Sequence, residues 1–283
     1  MNKSTGIHIL KNKLGKLGAY VFMIAMAATF ISPLVFAILS SLKDNRSIFR
    51  APFSLPNKPL WENYVTAWTT GKMGSYFSNS VFISFFTISI LAIVASMAAF
   101  VLSKMRMKGN KFISTFFLMG MMIPLHTVLI PVAFLVGNLG LTNNLFTLGF
   151  IYVAFSLPFS VAVLTVFMNT INNSLLEAAV IDGAGLIQIY RNVILPMSVP
   201  AISTISIFNF LTAWNDILFP LIIINDNRLK PISLGLLNFH GERGSDYGPM
   251  MAAIVITSLI PIILYVLFQE KVESGIAAGA VKG

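Results

Sequence analysis

Six nearly uncharged apolar runs alternate with polar or basic interruptions along this chain, at about residues 17–42, 76–103, 112–137, 144–168, 197–224 and 249–269. Each reaches the roughly 20 residues needed to cross a bilayer. Lipid offers a backbone N–H or C=O no partner, so such runs must close their hydrogen bonds internally and predict helices. The expected architecture is all-α and polytopic, with six transmembrane helices. Residues 1–16 form an amino-terminal segment, 17–269 the membrane domain and 270–283 a tail.

The first run carries a cleavage-like Ala25-Met26-Ala27. A secretory signal has an apolar stretch of only about 7 to 15 residues, whereas this run is long enough to span, so it reads as a retained first helix. Residues 43–75 hold Pro52, Pro56 and Pro59 with Trp61, Tyr64 and Trp68, a loop too rich in proline for a long helix and suited to a headgroup interface. Pro124 and Pro131 are expected to kink the third run, and Pro158 to break the fourth.

Composition agrees with a membrane location, at 56% hydrophobic and 10% charged residues. The net charge of +9 comes from bases scattered at the ends of apolar runs, which is the distribution of topology signals and argues against a nucleic-acid partner. Lys3 to Lys16 and the cluster Lys104, Arg106, Lys108 and Lys111 place the amino terminus, that cluster, the interruption after the fourth run and the tail on the cytoplasmic side. Lys43, Arg46, Arg50, Lys58 and Lys72 in the first outer loop run against this assignment. Without cysteine there are no disulfides or thiolate metal sites, and His8, His126 and His240 lie on different segments without ligand spacing, so no metal is expected.

The most informative interruption runs from 172 to 196. Ser174 and Glu177 stand in the spacing of a capping box, predicting a helix from about Leu175 to Asp182. Gly183 would end it in the left-handed conformation, and a second helix would follow Gly185 and stop before Pro196. The product is a helix-turn-helix hairpin. Glu177-Ala178-Ala179, Gly183 six residues after the glutamate, and Leu195-Pro196, with Val193 at a position usually isoleucine, resemble the EAA loop of permease subunits of binding-protein-dependent ABC importers. Asp182-Gly183-Ala184 and the ending Gly279-Ala280-Val281-Lys282-Gly283 resemble the carbohydrate-uptake branch, in particular its maltose-permease G-type subunits.

That resemblance implies a bacterial cytoplasmic-membrane protein with both termini inside, importing a sugar, in particular an oligosaccharide. It also implies a second homologous permease subunit, two ABC ATPase subunits and an extracellular sugar-binding protein. The cytoplasmic coupling loop would engage the ATPases through Ser174, Glu177, Ala178, Ala179, Asp182, Gly183, Leu195 and Pro196. Beyond its partners, the chain would meet only membrane lipid.

No Gly-rich phosphate loop ending in Gly-Lys-Ser/Thr occurs, so ATP and magnesium are expected in partner subunits and no cofactor or catalytic residue in this chain. In the fifth run Ser203, Ser206, Asn209, Thr212 and Asp216 recur at helical spacing. Ser206, Asn209 and Thr212 either line a pathway or glue helices together. Asp216 is either a pathway or gate residue or an interfacial charge paired with a loop residue such as Arg228. An ion-coupled secondary transporter or channel is the rival, for which Asp216 and His126 supply a thin relay, and a membrane-embedded enzyme would need a polar cluster that is not visible.

Overall fold

The computed structural model describes residues 3–105, 107–241 and 244–280. Arg106 of the basic cluster and Val281 to Gly283 of the carboxyl-terminal ending lie outside the described residues. Helices α1 (Lys3–Ser41), α2 (Asn45–Arg50), α3 (Glu62–Trp68), α4 (Met73–Lys104), α5 (Asn110–Met121), α6 (Leu129–Asn138) and α7 (Leu145–Thr170) form the first part of the chain. They are followed by α8 (Asn173–Ile181), α9 (Leu186–Ile189), α10 (Leu195–Met197), α11 (Val199–Asn215), α12 (Leu218–Ile223), α13 (Ile232–Gly235) and α14 (Tyr247–Ala280). Among the described residues the extended structure is a single short ladder pairing His240 with Ser245 and Gly241 with Gly244.

Four helices are long and apolar enough to cross a membrane, and six spans result if each of two bent pairs counts as one. The first bend, 84°, separates Asn110–Met121 from Leu125–Asn138. Pro124 is its cause: it donates no N–H, and Pro124 itself turns extended at φ −66°, ψ 122°. Pro131 falls in the first turn of α6, where a missing N–H costs nothing, and produces no kink. The expected break at Pro158 does not occur, and α7 runs through it. The Pro158 ring sits where Gly120 leaves room, since a Cβ on Gly120 would come within 2.9 Å of it.

The fifth segment departs most from the sequence reading. α11 ends at Asn215, the chain turns extended at Asp216, and α12 is a separate short helix, so the expected continuous helix over 197–224 is broken at its acidic residue. At the other end of the chain α14 continues as helix to Ala280, past the expected limit at 269.

Contacts divide the molecule into two units, one made of 1–71 with 239–256 and the other of 72–238 with 257–283. In the first, the apolar stretch of α1 within Gly15–Ser41 is largely bare of packing until Ala37, Ser40 and Ser41 become buried at its end. It leads into a loop pinned by Lys43, whose Nζ donates to the carbonyls of Ala51 and Pro52 at 2.9 Å each. Burial pushes the Lys43 ammonium below its usual pKa, and these carbonyls replace its lost water.

The second unit is built on α4 against α7. Small side chains permit the approach: Ala95, Ser96 and Ala99 on α4 and Ser160 on α7 are fully buried, and Gly149 accepts the ring of Phe86 where a Cβ would stand 2.5 Å away. One apolar cluster joins Ala99, Leu164, Met168, Ile189, Ile194 and Ile205, seating the base of the 172–198 hairpin on the helices. A second joins Ile83, Val136, Leu148, Ile151, Phe219 and Ile223 around α12.

Candidate functional site

The hairpin starts where α7 stops. Ile171 is extended, and its carbonyl accepts from Lys104 Nζ at 2.6 Å, which takes that carbonyl out of the helix. Asn172, not Ser174, then caps α8: its side-chain oxygen accepts from the Ser174 N–H at 3.0 Å. The capping box expected between Ser174 and Glu177 is absent because helix already begins at Asn173, and both side chains stay exposed. Gly183 has φ +82°, as expected for the residue that ends α8, and the Ala184 N–H closes on the Ala179 carbonyl at 2.9 Å. Gln188 starts α9, its side chain accepting from the Gly185 N–H at 2.8 Å.

The second arm does not end before Pro196. It passes through a π turn, Tyr190–Ile194, into α10, and bends by 71° at Ser198 before α11. In the π turn the Leu195 N–H reaches back to the Tyr190 carbonyl, one residue further than α spacing. This widened turn lies directly ahead of Pro196, whose ring clashes with a tight α turn.

The base of the hairpin is fastened. Lys104 also donates to Asn173 Oδ1 at 3.0 Å, and the Tyr190 hydroxyl shares a hydrogen bond of 2.7 Å with Ser96 of α4. The Tyr190 ring packs tilted on Phe100 at 5.5 Å. Leu176, Ala179 and Ala184 face the core cluster. The opposite face is apolar and bare: Val180, Ile181, Leu186 and Ile187 are 60%, 85%, 57% and 74% exposed. Exposed Glu177, Asp182 and Arg191 accompany them. The hairpin therefore carries four exposed apolar side chains at its tip on a base fastened by hydrogen bonds, the kind of contiguous apolar surface that marks a protein or membrane contact.

The polar stripe of α11 separates into different roles. Asn209 is buried and donates from Nδ2 to Ser160 Oγ at 2.9 Å, while Ser160 Oγ donates to the Ser156 carbonyl at 2.8 Å. Asn209 therefore joins α11 to α7. Thr212 is exposed, and its hydroxyl bonds the Phe208 carbonyl of its own helix at 3.0 Å. Ser206 likewise bonds the Ile202 carbonyl at 2.7 Å, and with Ser203 it faces an apolar cleft of about 520 Å³ bordered by Phe85 and Ile88 of α4, Phe210 of α11 and Leu264 of α14.

Asp216 holds the break between α11 and α12. Its carboxylate accepts from the N–H groups of Leu218 and Phe219 at 3.2 Å each and from the Tyr152 hydroxyl at 2.8 Å. Its carbonyl accepts from Ser233 Oγ at 2.6 Å. Arg228, a loop residue that could have paired with it under the interfacial reading, instead pairs with Asp226 at 2.8 Å. His126 lies in the 125–128 turn and is not among the hydrogen-bond partners of the Asp216 carboxylate, and no group of three potential metal ligands exists among the described residues.

Sequence reasoning missed the residues that tie the 224–235 segment down. Asn143, left-handed at φ 52°, accepts the N–H groups of Asn225 and Asp226 at 2.6 and 2.8 Å. Asn79 donates to the carbonyls of Arg228 and Lys230 at 2.9 Å each, and Ser80 accepts the Ile232 N–H at 2.8 Å. The doublet Asn143-Asn144 was the available signal, because asparagine tolerates the left-handed region and caps helices, and Asn144 does cap α7.

Known proteins share this architecture. The chain is 32% identical to the diacetylchitobiose uptake system permease protein NgcG of Streptomyces coelicolor, over 93% of this chain and 88% of that one. It is 33% identical to the probable starch degradation products transport system permease protein AmyC of Thermoanaerobacterium thermosulfurigenes, over 98% of both. A chain of a bacterial ABC transporter involved in import of the acidic polysaccharide alginate has the same fold, with a TM-score of 0.81 at 20% identity over 92% of this chain and 97% of that one. Residues 92–277 match the binding-protein-dependent transport system inner membrane component, a span that contains the whole hairpin, and the chain belongs to that family.

Proposed function

We propose that this chain is one permease subunit of an ATP-driven importer in a bacterial cytoplasmic membrane, forming half of the pathway for an oligosaccharide. The observation that carries the reading is the hairpin: an apolar tip of Val180, Ile181, Leu186 and Ile187 on a base fastened to α4 by Lys104 and Tyr190. Burying four such side chains, at about 1.5 to 3 kcal/mol each, supplies the grip of a stable subunit contact. ABC ATPase subunits carrying ATP and magnesium are the partners this tip would take, one contact for each of two permease subunits.

Movement of an ATPase would push the hairpin, and the bonds at Lys104 and Tyr190 would pass that movement into α4. The spans then switch as a body between openings to either side. In this reading Glu177, Asp182 and Arg191 orient the partner around the apolar contact, and Gly183 sets the angle between the arms. A sugar-binding protein delivers ligand on the opposite face, and both termini are cytoplasmic. The sugar assignment is supported by relatives named for diacetylchitobiose and for starch degradation products.

The test is copurification and hydrolysis. The chain alone should not turn over ATP, and hydrolysis should appear when ATPase and second permease subunits are supplied. Ile181→Asp with Ile187→Asp should release the ATPase while leaving the two permease subunits paired. An undiminished ATPase yield from that double variant would remove the hairpin tip from the interface.

A further inference from the structure

We propose that the loop following α1 contains a binding site for the phosphate headgroup of an anionic phospholipid. The site is a cavity of about 690 Å³ within residues 42–60, bordered by Lys43, Asp44, Arg50, Ser54, Asn57 and Lys58. It opens directly beyond Ser41, the last residue of a helix whose bare apolar surface belongs in hydrocarbon, so the cavity stands at headgroup depth.

Charge is the first argument. Lys43, Arg50 and Lys58 face the cavity against a single carboxylate, Asp44. That carboxylate is engaged, accepting the Ser47 N–H at 3.2 Å as the cap of α2. Among the described residues neither Arg50 nor Lys58 has an acidic partner, whereas Arg228 pairs with Asp226. Lys43 cannot reach a ligand, since its donors go to Ala51, Pro52 and Ser54, but its charge stays uncompensated behind them. Arg50 and Lys58 are exposed and free to close on an anion, and Arg offers phosphate a forked pair of donors. Ser47 and Asn57 add groups that suit glycerol or ester oxygens.

The rim gives the second argument and separates a lipid from a soluble phosphate. Leu55 borders the cavity and is 80% exposed, and Phe49, Phe53 and Trp61, chain neighbours of lining residues, are 66%, 63% and 65% exposed although each packs one side of its ring on Tyr247, Phe36 and Tyr64 respectively. Apolar and indole groups beside a basic hollow match a molecule with an anionic head and an acyl body. A free phosphate ester would leave Leu55 and the outward faces of these rings uncovered.

The full chain reconstituted in nanodiscs of phosphatidylcholine, alone or mixed with phosphatidylglycerol, provides the test. After transfer to detergent, native mass spectrometry counts retained lipid. Phosphatidylglycerol should be held in preference to phosphatidylcholine, and Arg50→Gln with Lys58→Gln should lower that preference about tenfold or more, as expected for losing charge-assisted contacts. Arg46→Gln removes an exposed charge from α2 outside the cavity lining and should leave the preference intact. Lys43 stays untouched because it holds the loop. Equal retention of both lipids, or an equal loss in Arg46→Gln, overturns the site. Saturable binding of glycerol 3-phosphate without any lipid preference overturns the lipid assignment.

Discussion

The two ends of the fifth segment treat polarity in opposite ways. At the hairpin end the hydrogen bonds are gathered at the base, through Lys104, Asn172 and Tyr190, and apolar side chains are left outside. At the Asp216 end the apolar side chains Phe219 and Ile223 are buried and the polar groups are turned inward to one another. In the proposed reading the first end is completed by a partner, whereas the second closes on its own groups. Damage at the first should cost association, and damage at the second should cost stability.

The largest effect is expected at Asp216. Replacing it by alanine leaves the Tyr152 hydroxyl and the N–H groups of Leu218 and Phe219 without their acceptor. Tyr152 and Phe219 are buried whereas Leu218 is exposed, so at about 1 to 3 kcal/mol for each buried unpaired group a loss of roughly 2 kcal/mol or more follows. Asp216→Asn keeps an acceptor and should lose less. Ile187→Asp at the other end should melt with the parent protein in the same detergent yet fail to retain the ATPase. If Ile187→Asp were the less stable variant, the contrast between the two ends would be gone.

Gly183 comes next. A Cβ there meets nothing within 4 Å, so the cost of Gly183→Val is the left-handed backbone at φ +82°, on the order of 1 to 3 kcal/mol. Gly140 has φ +66° and the same open surroundings in the α6–α7 turn, so Gly140→Val carries matching strain away from the hairpin. ATPase retention should fall in Gly183→Val and not in Gly140→Val. Gly235 would serve poorly as the comparison, because a Cβ there falls 2.2 Å from the Tyr76 ring. Equal retention in the two variants would separate the hairpin angle from docking.

Smaller effects are expected from loosening the base. Lys104→Met removes the bonds to Ile171 and Asn173, and Tyr190→Phe removes the bond to Ser96. Each hydrogen bond contributes about 0.5 to 1.5 kcal/mol, somewhat more for the charged one. The tip is untouched, so the ATPase should stay bound while stimulation of hydrolysis by the loaded binding protein declines. Loss of binding in place of loss of stimulation would assign these residues to the tip's shape.

The difference between the two ends also sets what could be read from the sequence. The hairpin is local: Gly183 and the flanking helical segments lie within a short stretch, and their geometry follows from propensity. Its cap was misread because Asn172, Asn173 and Ser174 are all capping residues, and the choice is made by Lys104, distant in sequence, drawing off the Ile171 carbonyl. Asp216 is nonlocal throughout, since Tyr152 and Ser233 come from other elements and neither carries a pattern that pairs them. Proline shows the same limit. Pro124 breaks its segment and Pro158 does not, and Gly120, which leaves room for the Pro158 ring, lies in another helix.

The smallest effect concerns acid, and it asks whether the self-contained end depends on charge at all. Arg228 beside Asp226 holds that carboxyl at about 2, below the ordinary 3.8. A depressed carboxyl contributes stability that is present above the unfolded value and is lost as pH falls through the folded one, so the window is about pH 4 to 2. The pair is at the surface, with the Arg228 side chain 87% exposed, and exposed pairs are screened and weak. The segment is held instead by Asn143, Asn79 and Ser80, which do not titrate. Asp226→Asn should therefore melt with the parent protein at neutral pH, whereas Asn143→Ala, which unpairs the N–H groups of Asn225 and Asp226, should melt lower. Carboxyl carbon-13 shifts of labelled aspartate should place the Asp226 midpoint near 2, moving up toward the ordinary value in Arg228→Gln. A greater loss in Asp226→Asn than in Asn143→Ala would mean that the ion pair, and not the amide network, closes this end of the segment.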